Sequence, residues 1–571
     1  MSLLFLFSFM NILNFLKYLL IFIVVLTLIV GIHEFGHFLF ARKAGILCRE
    51  YAIGMGPKLF SKRKGETVYS VRAFPIGGFC AIAGEELEED PFKGKTEIKL
   101  DIVDGVIKGF YFDIDDDKVN YPKFTIVSYD IVDMEQTGEL YMEVVEQSGE
   151  GEELTVRYPV DPKAMMYEKK QEMQIAPFNR QLGSKNKRQR GLVMFGGPLM
   201  NFLLALVIFF IVGLFSGFAN TKSSKIGEVS EGSNAFEVLQ SGDVVKKMRT
   251  ESLELKEINS WNDLSEFMSN YSNSYLMEKI ILTVDRNGEE VEVTVAPLIA
   301  INSAGIGTPN DYMEDENKNV AKIGVYQEMK SGKLVDNSGL KVGDIITSIK
   351  TKELGVINNP TWMQVKKAFD DYTGDYENKD DKYITLTVKR LKENSETEYE
   401  EKELRILPYS DYVLKNQTSI NGSVVPPTST AIGISCTTKF SLLKSFGYSF
   451  ERFWGSLVAV WNTLKLLFTG AVSIKNLSGP IGIFSITKQA SQYGVLYVMS
   501  LVGLLSVNIG ALNLLPIPAL DGGRLVFLAY EAITRKKPSQ KVETILITVT
   551  MILLLGLMVF VAFSDIMRLI H

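Results

Sequence analysis

Residues 18–40 read Tyr18-Leu-Leu-Ile-Phe-Ile-Val-Val-Leu-Thr-Leu-Ile-Val-Gly-Ile-His33-Glu34-Phe35-Gly36-His37-Phe-Leu-Phe40. The run is long and apolar enough to cross a bilayer as a helix, yet it carries an HExxH box near its end. On a helix, positions i and i+4 share a face, so His33 and His37 can present two imidazole nitrogens to one metal. Zinc is the natural candidate, with Glu34 beside it as a base for a water. Ionisable groups in a spanning segment are costly unless paired, hydrated or metal-bound, and three within five residues call for a shared explanation, which one metal supplies. The plainer alternative is two helix histidines near a membrane edge.

The chain's one other histidine is His571, its last residue, so a carboxylate is the expected third ligand. The best placed is Asp521, in a second apolar stretch reading Asn513-Leu-Leu-Pro516-Ile-Pro518-Ala-Leu520-Asp521-Gly522-Gly523. Two prolines interrupt any helix there, and broken backbone at membrane depth is tolerated where it is buried in protein or lines a wet cavity. An aspartate in such a segment can reach a metal held by another helix. The alternative is an N-cap aspartate before a helix starting near Gly523.

With both segments in view, the chain resembles the site-2 protease family of intramembrane zinc metalloproteases, and within it the bacterial regulator-of-sigma-E protease branch. His33, Glu34 and His37 match the family's HExxH, and Asn513, Pro516, Pro518, Leu520, Asp521 and Gly522 match its NxxPxPxLDG. Gly197-Pro198 with Asn201-Phe202, and Ser478-Gly479-Pro480, resemble further family signatures. The resemblance implies zinc held by His33, His37 and Asp521, with Glu34 as the catalytic residue. It also implies a membrane re-entrant β-hairpin over 54–84, in which Gly77, Gly78 and Phe79 help hold substrate extended, and a substrate-positioning role for Asn513. The implied activity is hydrolysis of peptide bonds in the transmembrane segments of single-span proteins, after another protease has removed their outer portion. Anti-sigma factors and leftover signal peptides are the substrate types, and the bacterial cytoplasmic membrane is the implied location.

Composition agrees with this reading. At 571 residues the chain exceeds one ordinary domain, and its net charge of −6 leaves no basic nucleic-acid footprint. Three scattered cysteines are too few for a disulfide framework or a thiolate zinc site. Four segments are apolar enough to span, at about 16–40, 192–218, 494–515 and 545–563. The first is expected to be a retained span and not a cleaved signal, because it lacks a basic n-region and a small-residue cleavage site and carries the histidine box. Arg42, Lys43, Lys62, Arg63 and Lys64 follow the first span, Lys185, Lys187, Arg188 and Arg190 precede the second, and Arg535, Lys536, Lys537 and Lys541 separate the last two. By the positive-inside rule these face the cytosol and both termini lie outside. The histidine box then sits near the cytosolic leaflet, His37 preceding Arg42 by about 8 Å of helix rise.

Residues 85–190 alternate polar and apolar as strands do, for example Thr96-Glu-Ile-Lys-Leu-Asp-Ile. They are expected to form a cytosolic β-rich insert, longer than the branch's usual connection. A passive surface domain accounts for it, and its function is open. Residues 222–437 hold an approximate internal repeat, with matching turns at Leu239-Gln-Ser-Gly-Asp243 and Ser338-Gly-Leu-Lys-Val-Gly-Asp344 after short strands at Ile226 and Ile323. It resembles tandem PDZ domains, which bind peptide by strand addition; docking sites and steric filters are both open roles. Phe446, Phe450, Phe453, Trp454, Leu457, Trp461, Leu464 and Phe468 fall at helical spacing. They form an amphipathic stripe for the outer interface or for the second PDZ-like domain.

The expected architecture is a polytopic α-helical membrane protein with four spans, a membrane-associated β-hairpin, a cytosolic β-rich insert and two extracytoplasmic PDZ-like domains. Its segments are 1–53 (first span with HExxH), 54–84 (hairpin), 85–190 (insert), 191–220 (second span), 221–310 and 311–437 (PDZ-like domains), 438–492 (amphipathic helices), 493–534 (third span with LDG) and 535–571 (fourth span). Two rival classes are an inactive membrane-tethered scaffold, opposed by the intact His33, Glu34, His37 and Asp521, and an anchored zincin cleaving soluble peptides, opposed by the apolar setting of the box.

Overall fold

Four helices are long and apolar enough to cross a membrane among the residues described by this computed structural model: 2–570, except 86–89, 115–119, 134–135, 148–152, 169–170, 314–320, 327–338, 375–381, 393–394, 396, 410–413, 415–425 and 470–478. Ser338, Ser478 and His571 therefore lie outside the described residues. The chain divides into two compact units, residues 1–212 with 445–571, and residues 213–444.

In the first unit the four span-length helices are α1 (Ser2–Lys43), α2 (Lys187–Ser216), α5 (Val495–Asn513) and α7 (Gln540–Ile570), with α3 (Leu442–Phe468), α4 (Pro480–Tyr493) and α6 (Asp521–Thr534) between them. The span-length windows coincide with the four expected spans. Their outward residues, such as Leu20, Val207, Leu553 and Phe560, are apolar and exposed, as helices facing lipid must be. Inward contacts are made by small residues. A Cβ on Gly503 or Gly510 of α5 would stand 2.6 and 2.8 Å from Phe209 and Phe202 of α2, so these helices meet by fitting phenylalanine rings against glycines. The aromatic stripe on α3 is split. Phe453 and Leu457 pack on the α2–α5 contact and Phe446 meets Phe210, while Phe450, Trp454 and Trp461 are exposed.

Strands β1 (Cys48–Lys64) and β2 (Thr67–Ile82) form the hairpin. Both bend back, so residues 50–53 lie between 78–82 on one side and 68–71 on the other. One end of the sheet is polar, at Lys62, Arg63 and Glu66, whereas the bends at the opposite end expose Met55, Leu59, Phe60 and Phe74. The insert contains β3 (Glu97–Val103), β4 (Val106–Tyr111), β5 (Lys123–Asp130), β6 (Tyr141–Gln147), β7 (Glu153–Glu168) and β8 (Gln171–Gln174) in the order β4-β3-β5-β6-β7-β8. An additional β4–β7 pairing closes this sheet around its own core of Phe92, Ile98, Leu100, Ile107, Phe110, Met142 and Val144.

The second unit carries the repeat. Strands Val244–Arg249, Ile280–Arg286 and Glu289–Val295 with helix Trp261–Asn273 are matched by Ile345–Thr351, Ile384–Leu391 and Tyr399–Ile406 with helix Trp362–Asp370, in the same sheet order. Each helix begins with a capping box, Ser260/Asp263 and Thr361/Gln364. The likeness extends to single bonds. Asp243 accepts from Arg286 Nε and Nη2 at 3.0 and 2.7 Å, and Asp344 from Arg390 at 2.8 and 2.7 Å. The repeats are not laid end to end as 221–310 and 311–437. Strand Ile226–Val229 of the first pairs with Ile434–Cys436, beyond the whole second repeat, and Asn220 N–H donates to Thr437 O. A strand supplied from so far along the chain leaves no local pattern, so the sequence reads as tandem where the fold is nested.

Candidate metal centre

The helical i, i+4 spacing brings His33 Nε2 and His37 Nε2 to 3.2 Å from each other. Asp521 Oδ2 stands 3.2 Å from the first and 3.5 Å from the second. These three are the donor cluster among the described residues whose ligand atoms could hold one metal. Asp521 arrives because α5 stops at Asn513 and the chain turns through Leu514–Leu520 before α6 starts. Pro516 and Pro518 prevent continuation of the helix, and a Cβ on Gly522 or Gly523 would come within 2.3 Å of the carbonyls of Leu514, Leu515 and Ile517. Asp521 is the first residue of α6, with no capping bond at that terminus. Its carboxylate faces the histidines instead, against the N-cap alternative.

The histidines' outer nitrogens have their own partners. His37 Nδ1 donates to the carbonyl of Val193 at 2.8 Å, which fixes the tautomer and turns the Nε2 lone pair inward. His33 Nδ1 lies 3.3 Å from the amide of Asn201, which is wholly buried and whose Oδ1 has no other partner. A half-turn of that amide, equivalent in shape, makes Oδ1 the acceptor of a His33 Nδ1–H. Asp521 Oδ2 is buried without an aligned hydrogen bond, although it is within ion-pair distance of both rings. Three lone-pair atoms thus converge with no proton assigned between them, an arrangement that a cation stabilises and an empty pocket does not. Two imidazoles and one carboxylate are a donor set that suits catalytic zinc, which keeps its fourth position for water or substrate.

Glycines make room for this centre. A Cβ on Gly36 would lie 2.1 Å from Gly196 O, so α1 and α2 touch backbone to backbone. A Cβ on Gly197 would lie 2.3 Å from His37 Nε2 and 2.7 Å from His33 Nε2, in the space where the three donors converge. The sequence singles out Gly197 and Asn201 only by resemblance; the fold gives them their positions.

Glu34 lies on α1 beside the histidines, and the hairpin runs against it. A Cβ on Gly78 would be 3.5 Å from Glu34 Cγ, 3.4 Å from Val30 and 2.8 Å from Ala52 O. Gly77 has φ +83°, a left-handed conformation that glycine adopts without strain, and the Phe79 ring stacks 4.8 Å from the Arg72 guanidinium. Asn513 ends α5 at the start of the broken segment. Supporting ion pairs tie these elements together: Arg190–Glu531 at 2.6 Å joins α2 to α6, and Glu85 with Arg524 joins the exit of the hairpin to α6.

A protease box carried on a span-length helix, completed by an aspartate from a proline-broken segment between two further helices, defines a multi-pass membrane metalloprotease of the site-2 type. The chain belongs to peptidase family M50, whose model matches residues 21–557, and it is a zinc-dependent protease. It is 30% identical over 554 residues to the zinc metalloprotease RasP of Shouchella clausii, covering 96% of this chain and 99% of that one. It is 27% identical over 558 residues to the regulator of sigma-W protease RasP of Bacillus subtilis, covering 96% and 98%. The zinc metalloprotease RasP of Geobacillus kaustophilus is 29% identical over 549 residues, covering 96% and 97%.

Proposed function

We propose that this protein is an intramembrane endopeptidase that hydrolyses peptide bonds within the transmembrane segments of single-span membrane proteins, with His33, His37 and Asp521 as zinc ligands and Glu34 as the catalytic residue. The carrying observation is that the span-length helix α1 brings His33, Glu34 and His37 against Asp521 at the start of α6 and against Gly78 of the hairpin. Zinc held by His33, His37 and Asp521 would supply a Lewis acid for the scissile carbonyl and for water. Glu34 is placed to take a proton from the attacking water and to pass it to the leaving amine. A helical substrate hides its carbonyls in internal hydrogen bonds and must be extended first. Residues 77–79 offer an edge for this, since 78–82 pairs with 48–53 on one side and a substrate strand can add on the other. Gly78 lets that strand run close to Glu34, Phe79 flanks it, and Asn513 offers an amide to substrate backbone.

The name of the Bacillus subtilis relative, regulator of sigma-W protease, supports an anti-sigma factor as the substrate type, trimmed beforehand by another protease; signal-peptide remnants share the required single-span form. The proposed setting is the bacterial cytoplasmic membrane, with the insert and the metal centre on the cytosolic side and the termini outside. The two repeats are proposed as nested extracytoplasmic PDZ-like domains. The test compares wild type with Glu34→Gln, at matched zinc content in detergent, on a truncated single-span substrate. Loss of cleavage with zinc retained supports the assignment; equal cleavage rejects it.

A further inference from the structure

We propose that the insert is a brace for the active-site edge of the hairpin, and that Glu66 and Arg180 are its positioning pair. This rests on the reading of residues 77–79 as the substrate-pairing edge. The hairpin needs a support of this kind. One part of the sheet packs on α1 through Tyr51, Tyr69 and Cys80 against Phe38 and Ala41, but its outer bends expose Leu59, Phe60 and Phe74, so the polar end beyond that packing is where a small sheet gains from a second anchor.

The chain leaves the hairpin at Ala83, makes the closed sheet of the insert, and returns along residues 174–182 to grip the polar end of the same hairpin. At the turn Gly65-Glu66-Thr67, Arg180 holds both oxygens of Glu66, at 2.5 and 2.8 Å, and Gln174 Nε2 adds a bond to Oε1 at 3.0 Å. Gln174 is buried, and its carbonyl accepts from Arg49 Nε at 2.9 Å. Arg180 chiefly, with Gln174, holds the Glu66 carboxyl down to about 2, so the pair stays charged at any physiological pH. The backbone adds a ladder across the exit of the edge strand: Leu47 N–H to Arg180 O at 2.9 Å, Ala83 N–H to Leu47 O at 2.9 Å and Leu182 N–H to Ala83 O at 2.8 Å. Ala83 is five residues beyond Gly78 on the strand that passes Glu34. A Cβ on the neighbouring Gly84 would meet Gln181 at 2.8 Å, so strap and exit are in close contact. Fixing Glu66 fixes residues 67–71, which flank 50–53, which in turn flank 78–82. A passive surface domain would need neither a bidentate pair at the turn nor a backbone ladder at Ala83.

The experiment uses full-length protein in detergent at equal zinc per chain, with a truncated single-span substrate and a photo-crosslinking residue at position 79. Arg180→Ala and Glu66→Gln are expected to lower kcat on the order of 10- to 100-fold, the effect of about 1 Å of misplacement at a reacting centre, and to reduce the position-79 crosslink in parallel. The exchanged pair Glu66→Arg with Arg180→Glu is expected to recover both. Unchanged kcat, KM and crosslink in Arg180→Ala and Glu66→Gln would overturn the brace. So would an exchanged pair that regains thermal stability without regaining kcat. Gly78→Ala separates the two readings: if it and wild type cleave equally and position 79 never crosslinks to substrate, the edge reading itself fails.

Discussion

The sharpest prediction concerns Gly197, a residue with no chemistry of its own. In Gly197→Ala the new methyl would stand 2.3 Å from His37 Nε2 and 2.7 Å from His33 Nε2. The first distance is more than 1 Å short of the 3.4 Å at which ordinary contact begins. Neither ring can retreat easily, because His37 is held to Val193 O and His33 abuts the buried Asn201 amide. The helices cannot simply separate either, since Gly36 and Gly196 are already in backbone contact. Overpacking of this kind costs about 1–3 kcal/mol in a well-filled core, and a displacement of about 1 Å at a reacting centre costs about 100-fold in rate. We expect Gly197→Ala to fold, to bind zinc at least about 10-fold more weakly, as disturbed ligand surroundings do, and to cleave at least about 100-fold more slowly. The assay is zinc stoichiometry against a competing chelator alongside substrate cleavage. Gly191→Ala serves as control, because its Cβ would meet only Leu528 at an ordinary 3.4 Å. Gly197→Ala with wild-type zinc affinity and rate would refute the placement of the donors.

Two further predictions concern stability. Asp565 of α7 is buried and accepts from Gly479 and Gly482 N–H at 2.9 Å each, at the start of α4; Asp565→Ala leaves both donors unpaired and is expected to destabilise by about 2–5 kcal/mol, read as a lower melting temperature in detergent with substrate cleavage intact at low temperature. In the first repeat, burial alone would raise the Asp243 carboxyl, but Arg286 and the Gln240 N–H more than reverse this and hold it below the ordinary aspartate range. Its contribution is therefore full above the unfolded-state pKa and lost as pH falls through the folded one, so limited proteolysis of residues 213–444 is expected to accelerate under acid conditions, and Arg286→Ala to remove that pH dependence.

Much of the site was legible in the sequence because its reasons are local. The i, i+4 histidines need only helical geometry, and Asn513 to Gly523 announces a broken segment by its prolines and glycines. The spans were legible from apolar length, and the repeat from its paired Gly-Asp turns. What escaped depends on contacts far apart in the chain. Asn201 and Val193 act as partners of histidines more than 150 positions away. The nesting of the repeats depends on Ile434–Cys436 returning to Ile226–Val229. The insert's strands were readable from alternation, whereas the strap at Gln174–Leu182 has no periodicity and is defined by what it grips.

Asp521 and Asp565 show why an acid among apolar helices cannot be assigned from its setting alone. Both are carboxylates in segments of high apolar content, where ionisable groups are functional by default. Asp565 Oδ2 accepts from two backbone N–H donors at the start of α4, so this carboxylate is met by hydrogen-bond donors. Asp521 begins a helix, but it makes no capping bond and turns instead to the Nε2 atoms of His33 and His37, the latter with its ring proton on the Nδ1 that donates to Val193 O. The charge is the same, but the first carboxylate meets donors and the second meets acceptors. Only the second arrangement needs a cation, and the glycine at 197 keeps space for it.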